Sequence, residues 1–376
     1  MIALELVLWL TLGLLVWTHL LYPVAAALLA RLRPRGVRKA AVEPLVSVIV
    51  AAHDEETVIE RRLANLLELD YPADRLEILI ASDASSDRTD ELVEAAAARD
   101  PRVRLLRYPR GGKLAAQNRA YHEARGEILA FSDANATWAP DALRKLVANF
   151  ADPDVAYVCG QLKLQRADGS NREGAYWRYE MWVRSSESRL GSVTGGNGSI
   201  CAVRQADYIE HRFGHDLGFP YRLVQLGRRA VFEPEAQAFE KPSAEQEDEY
   251  RRKVRMFEWC WLTVFEGGMF RRLTPVYWVE LVSHRLLRYA SGLLHLVLLG
   301  TSIALVGLRA GWVYDAVLGG QIAFLVLALL GRRRVRIPGA ALAYYYVLVT
   351  LATVVALVRY VRLGVPPVWQ KAEGTR

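Results

Sequence analysis

Four long apolar runs, nearly free of charge, lie at the two ends of this 376-residue chain and none lies between them. The first covers residues 6–30 (LVLWLTLGLLVWTHLLYPVAAALLA) and contains no charged residue. The others are residues 290–308, 312–331 and 340–358. Each is close to the ~20 residues that a helix needs to cross a bilayer. These runs also explain why a chain that is 52% hydrophobic is still 24% charged. The apolar blocks are attached to a central stretch, about 44–275, that has the pattern of a water-soluble domain.

A cleaved signal peptide would compete for the first run, but it needs a positive segment ahead of a short apolar core. No Lys or Arg precedes this run, and RLRPRGVRK follows it with Arg31, Arg33, Arg35, Arg38 and Lys39. An anchoring helix with its basic flank inside is the expectation, which places the central domain in the cytoplasm. GRRRVR at 331–336 carries more of the net charge of +7. Basic residues beside spanning helices meet anionic lipid headgroups, so no nucleic-acid partner is expected. Cys159, Cys201 and Cys260 have no CxxC spacing and are expected to be small buried residues.

Strand and helix patterns alternate through the central stretch. Strands are expected at 46–52, 76–83, 103–108, 127–133 and 154–164, with amphipathic helices between them. One helix is capped by Ser86 or Asp87, one is entered through the glycines of RGGK, and one starts at Pro140. Such alternation builds a mostly parallel sheet covered on both faces, which binds ligands at its carboxyl strand ends. Those ends read His53-Asp54-Glu55-Glu56, Ser82-Asp83 and Asp133-Ala134-Asn135, an acidic crevice suited to a nucleotide with a metal. Neither GxGxxG nor GxxxxGK[ST] is present, which argues against a dinucleotide fold and a P-loop nucleotidase.

Six segments, in order, resemble the inverting glycosyltransferases of family 2: VSVIVAAHDEE, ASDASSDRT, RGGKLAAQNRA, FSDANATWAPDAL, GHDLGFPYRLVQLGRRAVFEPEAQAFE and EYRRKVRM. The likeness is to the membrane-anchored branch that makes polysaccharides and glycolipids. It implies an α/β GT-A domain, Rossmann-like with a mostly parallel sheet. The implied layout is one spanning helix at 1–30, a basic linker at 31–43, the GT-A domain at 44–274 and an interfacial helix at 275–289. About three C-terminal spanning helices (290–363) and a tail (364–376) complete a multi-pass protein of the inner or plasma membrane.

The resemblance also implies roles. Glu56, Asp83, Lys113, Asp133, Arg252 and Arg255 would bind the nucleotide sugar, with Asp83 on the base and Lys113 near the diphosphate. Asp133 and Asn135 stand where the family writes DxD and would hold Mg2+ or Mn2+. Asp216 would be the general base. The expected partners are a nucleotide sugar, most simply UDP-linked, a lipid or polysaccharide acceptor, and the bilayer.

Each role has a plainer rival. Asn135 offers a neutral carbonyl oxygen where a second carboxylate is usual, and an Asx-turn would equally close the strand. Asp216 could cap a helix. Arg252 and Arg255 replace part of a QxxRW segment, and RRKVR also suits a helix on a membrane surface. GGNGS (195–199) could admit an acceptor closely or merely turn the chain. Trp177 and Trp182 suit packing, while His19 and His295 lie inside apolar helices. The expected reaction is inverting sugar transfer to a lipid-linked acceptor. A processive polysaccharide synthase and a catalytically degenerate scaffold subunit are the alternatives. A fourth crossing would put the basic C-terminal tail outside, a conflict that a re-entrant last helix would remove.

Overall fold

The computed structural model describes residues 1–164, 174–210, 215–241 and 246–365. Most of the tail expected at 364–376 therefore lies outside the described residues. The chain divides into two compact units, an α/β unit (residues 29–245 with 267–273) and a helical unit (1–28, 246–266 and 274–365).

The α/β unit is built on one eight-stranded sheet. Its strands are β1 (Val46–Ala52), β2 (Leu76–Asp83), β3 (Val103–Tyr108), β4 (Ile128–Asp133), β5 (Thr137–Trp138), β6 (Val155–Leu164), β7 (Cys201–Arg204) and β8 (Arg229–Glu240). They lie in the order β3-β2-β1-β4-β7-β6-β8-β5. The first four strands are mutually parallel. Beyond them the sheet is mixed, within the mostly parallel sheet expected: β7 runs antiparallel to both neighbours, and β5 is antiparallel to β8. The fifth expected strand, now β6, therefore pairs with β8 and is separated from β4 by β7.

Side-chain alternation makes two cores from one sheet. Val46, Val48 and Val50 of β1 join Ile78, Ile80 and Ala130 on one face, under Ile59, Leu63 and Leu66 of the helix Ile59–Leu67. Ile49, Leu79 and Phe131 point to the other face, against Ala116 and Ala120 of the helix Lys113–Glu123. Each buried branched side chain is worth roughly 1.5–3 kcal/mol, so both faces hold the strand ends in place. Ser47 is the polar exception in β1. Its hydroxyl donates to Glu77 at 2.6 Å and accepts from the Gly126 amide at 2.8 Å, so neither group is buried without a partner.

In the helical unit, Ile2–Leu32, Trp312–Arg332 and Ala340–Leu363 are long and apolar enough to cross a membrane. The run expected at 290–308 forms only the 17-residue helix Ser291–Gly307. It reaches spanning length only with Pro275–Tyr289, from which it bends by 64°, so up to four spans are present by length and composition. Leu8 and Leu15 pack on Leu298 and Leu305. Two histidines of the apolar helices meet one hydroxyl: Tyr346 Oη lies 3.0 Å from His19 Nε2 and 2.8 Å from His295 Nε2. Such contacts join helices where apolar surface gives no preference.

Candidate active site

The carboxyl ends of β1 and β2 are tied to each other before any ligand is considered. Asp54 accepts from the Ser86 amide at 2.7 Å, and the Glu55 amide donates to Thr89 at 2.7 Å. Glu56 accepts from the Arg88 amide at 3.3 Å. Of the two caps expected for the helix Thr89–Ala97, Asp87 is the one that accepts from Thr89, at 2.9 Å. Asp54 and Ala84 take the left-handed conformation (φ 53° and 56°), which costs a non-glycine residue energy and marks both loops as held by their surroundings.

Asp83 ends β2 fully buried. It accepts from the Gly111 and Gly112 amides at 2.7 and 2.8 Å and pairs with Arg110. It thereby fixes the RGGK loop, which delivers Lys113 into the crevice as the first residue of its helix. Gly112 is needed there, since φ is +86°. Lys113 forms an ion pair with Asp133 at the end of β4. Burial would lower the Lys113 ammonium, but Asp133 and then Asp216 outweigh it and hold the group above its ordinary range.

Asp133 has a second contact, the Ser199 hydroxyl at 2.9 Å, and that hydroxyl also bonds to Glu240 at the end of β8. One hydroxyl proton serves one carboxylate at a time, so the pair retains acceptor capacity for a cation. Beneath them, Arg62 is 1% exposed. It donates to Ser132 at 2.7 Å and Asn65 at 2.5 Å, and its guanidinium lies over the Trp138 ring. Burial lowers Arg62 to about 9, while Asp133 and Glu240 pull it back up. Asn135 sits half-buried in the turn between β4 and β5.

Asp216 lies in the first turn of the helix His215–Gln225. It is exposed by surface area, yet its carboxylate is crowded. A Cβ added at Gly198 would strike its oxygen, and the Gly196 amide donates to its main-chain carbonyl. Burial pushes the Asp216 carboxyl above its ordinary range, with Lys113 lowering it, Asp133 raising it and Arg184 lowering it in turn. GGNGS is therefore more than a turn, since it touches Asp216 through two glycines and Asp133 through Ser199. Replacing Gly198 with Ala is expected to displace Asp216 and lower turnover by about 10²-fold. Steady-state rates with a thermal unfolding control check this, and unchanged turnover would free the loop of that role.

The structure brings Lys113, Asp133 and Asp216 together, with Asp83 behind them and Glu56 in the neighbouring loop. Arg252 and Arg255 belong to the other unit, on the helix Gln246–Glu266, where Arg252 pairs with Glu249 at 2.8 Å. Among the described residues no three His, Cys, Asp or Glu side chains could hold a metal together. The donors near Asp133 are hard oxygens, so they suit a divalent cation that takes its remaining ligands from a diphosphate. Sequence reading passed over Arg62, Ser199 and Glu240. A signal existed for Arg62, which falls in register with Ile59, Leu63 and Leu66 on the buried side of its helix.

The sheet order and its acidic strand ends define a GT-A fold. Residues 47–213 match the family described as Glycosyl transferase family 2. Among curated relatives, the beta-monoglucosyldiacylglycerol synthase of Synechocystis sp. is 33% identical over 197 residues, 48% of this chain and 40% of the relative. An N-acetylglucosaminyltransferase of Rhizobium meliloti is 28% identical over 220 residues, 51% of this chain and 50% of the relative. The chain thus spans half or less of the length of these relatives. Among solved structures, the mannosyltransferase PcManGT from Pyrobaculum calidifontis, in complex with GDP-Man and Mn2+, is similar with a TM-score of 0.76. That likeness covers 95% of this chain and 99% of the other at 21% identity, and it carries the fold.

Proposed function

We propose that the protein transfers a sugar from a nucleotide sugar to a membrane lipid, with inversion at the anomeric carbon. The observation that carries this reading is the convergence of Lys113, Asp133 and Asp216 in one crevice at the strand ends. The acceptor oxygen bonds to the anomeric carbon as that carbon's bond to the diphosphate breaks. The electron pair leaves with the nucleoside diphosphate, and the acceptor proton passes to Asp216. Attack opposite the leaving group inverts the centre. Lys113 exchanges Asp133 for the diphosphate, while Asp83 keeps its loop in place. A divalent ion, Mg2+ or Mn2+, held by Asp133 and Asn135, would neutralise charge on the leaving oxygens. The lipid acceptor is supported by the named activity of the glucosyldiacylglycerol synthases and by the apolar helices. In this reading the catalytic unit works at the cytoplasmic face of the cell membrane, which the basic cluster 31–39 supports.

Release of nucleoside diphosphate by the detergent-purified chain, over UDP- and GDP-sugars with a native lipid extract, tests the reaction. Release from one donor that depends on acceptor is expected, and release from none would remove the enzyme reading. Chelation should stop release. Asn135→Asp is expected to lower the Mn2+ concentration for half-maximal activity by roughly tenfold, since a hard cation gains a carboxylate ligand. A titration that shows no metal dependence would take the ion out of the reaction.

A further inference from the structure

Two donor side chains near Asp216 have buried N–H groups with no acceptor. Arg184, on the helix Ala175–Leu190, is 5% exposed, and its Nε and Nη1 are buried without a hydrogen bond. Its guanidinium lies 5.7 Å from the centre of the Phe232 ring, a contact that uses its flat face and none of its N–H groups. Asn197 is 8% exposed, and its buried Nδ2 also lacks a partner, although its Oδ1 accepts from the Ser199 amide at 3.2 Å. Both belong to the surroundings of Asp216. Glu187, one turn beyond Arg184 on the same helix, accepts from the Thr194 hydroxyl at 2.9 Å, which holds that helix against the loop where Asn197 stands between the two glycines that touch Asp216.

Buried polar groups are nearly always hydrogen-bonded, and a buried guanidinium is the most costly to leave short. Two such groups beside one carboxylate point to a ligand whose oxygens complete them. The donor diphosphate already has a cation in Lys113, which pairs with Asp133, whereas Arg184 makes no hydrogen bond to Asp133. The group that Arg184 receives therefore arrives next to the base, where the acceptor hydroxyl must lie.

We propose that Arg184 and Asn197 bind a phosphate carried by the acceptor itself, so that the acceptor is a hydroxyl-bearing phospholipid. This rests on Asp216 being the base. A guanidinium fork matches two phosphate oxygens, and the Asn197 amide supplies a neutral third donor. A neutral diacylglycerol would leave both groups short, so the site selects against it.

The test uses the full chain with phosphatidylcholine vesicles that contain either phosphatidylglycerol or dioleoylglycerol. Wild type should transfer sugar to phosphatidylglycerol in preference. Arg184→Gln should raise the KM for that lipid by on the order of tenfold, about 1.4 kcal/mol, with Arg184→Lys intermediate and nucleotide-dependent thermal stabilisation retained in both. Asn197→Ala should act in the same direction but less. Preference for dioleoylglycerol, or an equal effect on both acceptors, would overturn the proposal. So would loss of nucleotide stabilisation in a folded Arg184→Gln, which would assign the guanidinium to the donor diphosphate. Retention of radiolabelled phosphatidylglycerol by purified wild type and Arg184→Gln reads the site without turnover. If wild type releases no nucleoside diphosphate from any donor, the transferase reading fails, and lipid retention alone decides the site. Equal retention by both proteins would sink it.

Discussion

Asp216→Asn is expected to slow sugar transfer by about 10²–10⁴-fold, the usual contribution of a positioned general base. Donor binding should survive, because the amide keeps the shape of the side chain and both Lys113 and Asp133 remain in place. The loss should therefore fall on kcat, with nucleotide-dependent thermal stabilisation unchanged. The pH profile gives the same assignment a second check. A base acts only when ionised, and burial raises the Asp216 carboxyl. Activity should accordingly be lost as pH falls through a value above the ordinary carboxylate range, and the Asn variant should lose that limb. A wild-type profile that is flat down to the ordinary carboxylate range would assign the proton to another group.

The second large effect is on stability. Arg62→Met should destabilise the α/β unit by about 3–5 kcal/mol, because removing one partner of a buried charged set leaves the others uncompensated. Methionine fills most of the volume and suits the Trp138 ring, so packing alone would predict a smaller loss. The larger value comes from Ser132, Asn65, Asp133 and Glu240, all of which face or feel this guanidinium. Denaturant unfolding of the purified chain measures it. A loss under about 1 kcal/mol would mean that the carboxylates above Arg62 are balanced elsewhere.

Much of the α/β unit is visible in the order of residues. Strands expected at 46–52, 76–83 and 103–108 are found at those positions, because runs such as VSVIVAA must be buried on both faces and turn abruptly polar. β7 escapes the same reasoning. CAVR is too short to show a period, and its antiparallel direction is set by the loop after Gly191 bringing the chain back beside β4. Asp83, Lys113 and Asp133 stand out as strand-end or loop residues. Their mutual arrangement does not, since it depends on the RGGK loop folding back onto Asp83 across 28 or more positions of chain. Arg184 is hidden differently. It lies in a segment whose tryptophans draw attention, yet Trp177 donates to the Leu162 carbonyl at 3.0 Å and Trp182 is exposed. Only the three-dimensional neighbourhood separates a surface arginine from a buried one.

The ion pair between Lys113 and Asp133 has a thermodynamic consequence. With the crevice empty, the protein's own ammonium stands against the carboxylate that a metal ion would use, and the same ammonium is the group that a diphosphate would use. A ligand that takes either group as its partner would weaken the pair. Once one has broken it, the partner released is free for the other. Affinity for an ion and affinity for a nucleotide would then be linked, each raising the other by the same factor. The resting pair would make the two ligands arrive as one.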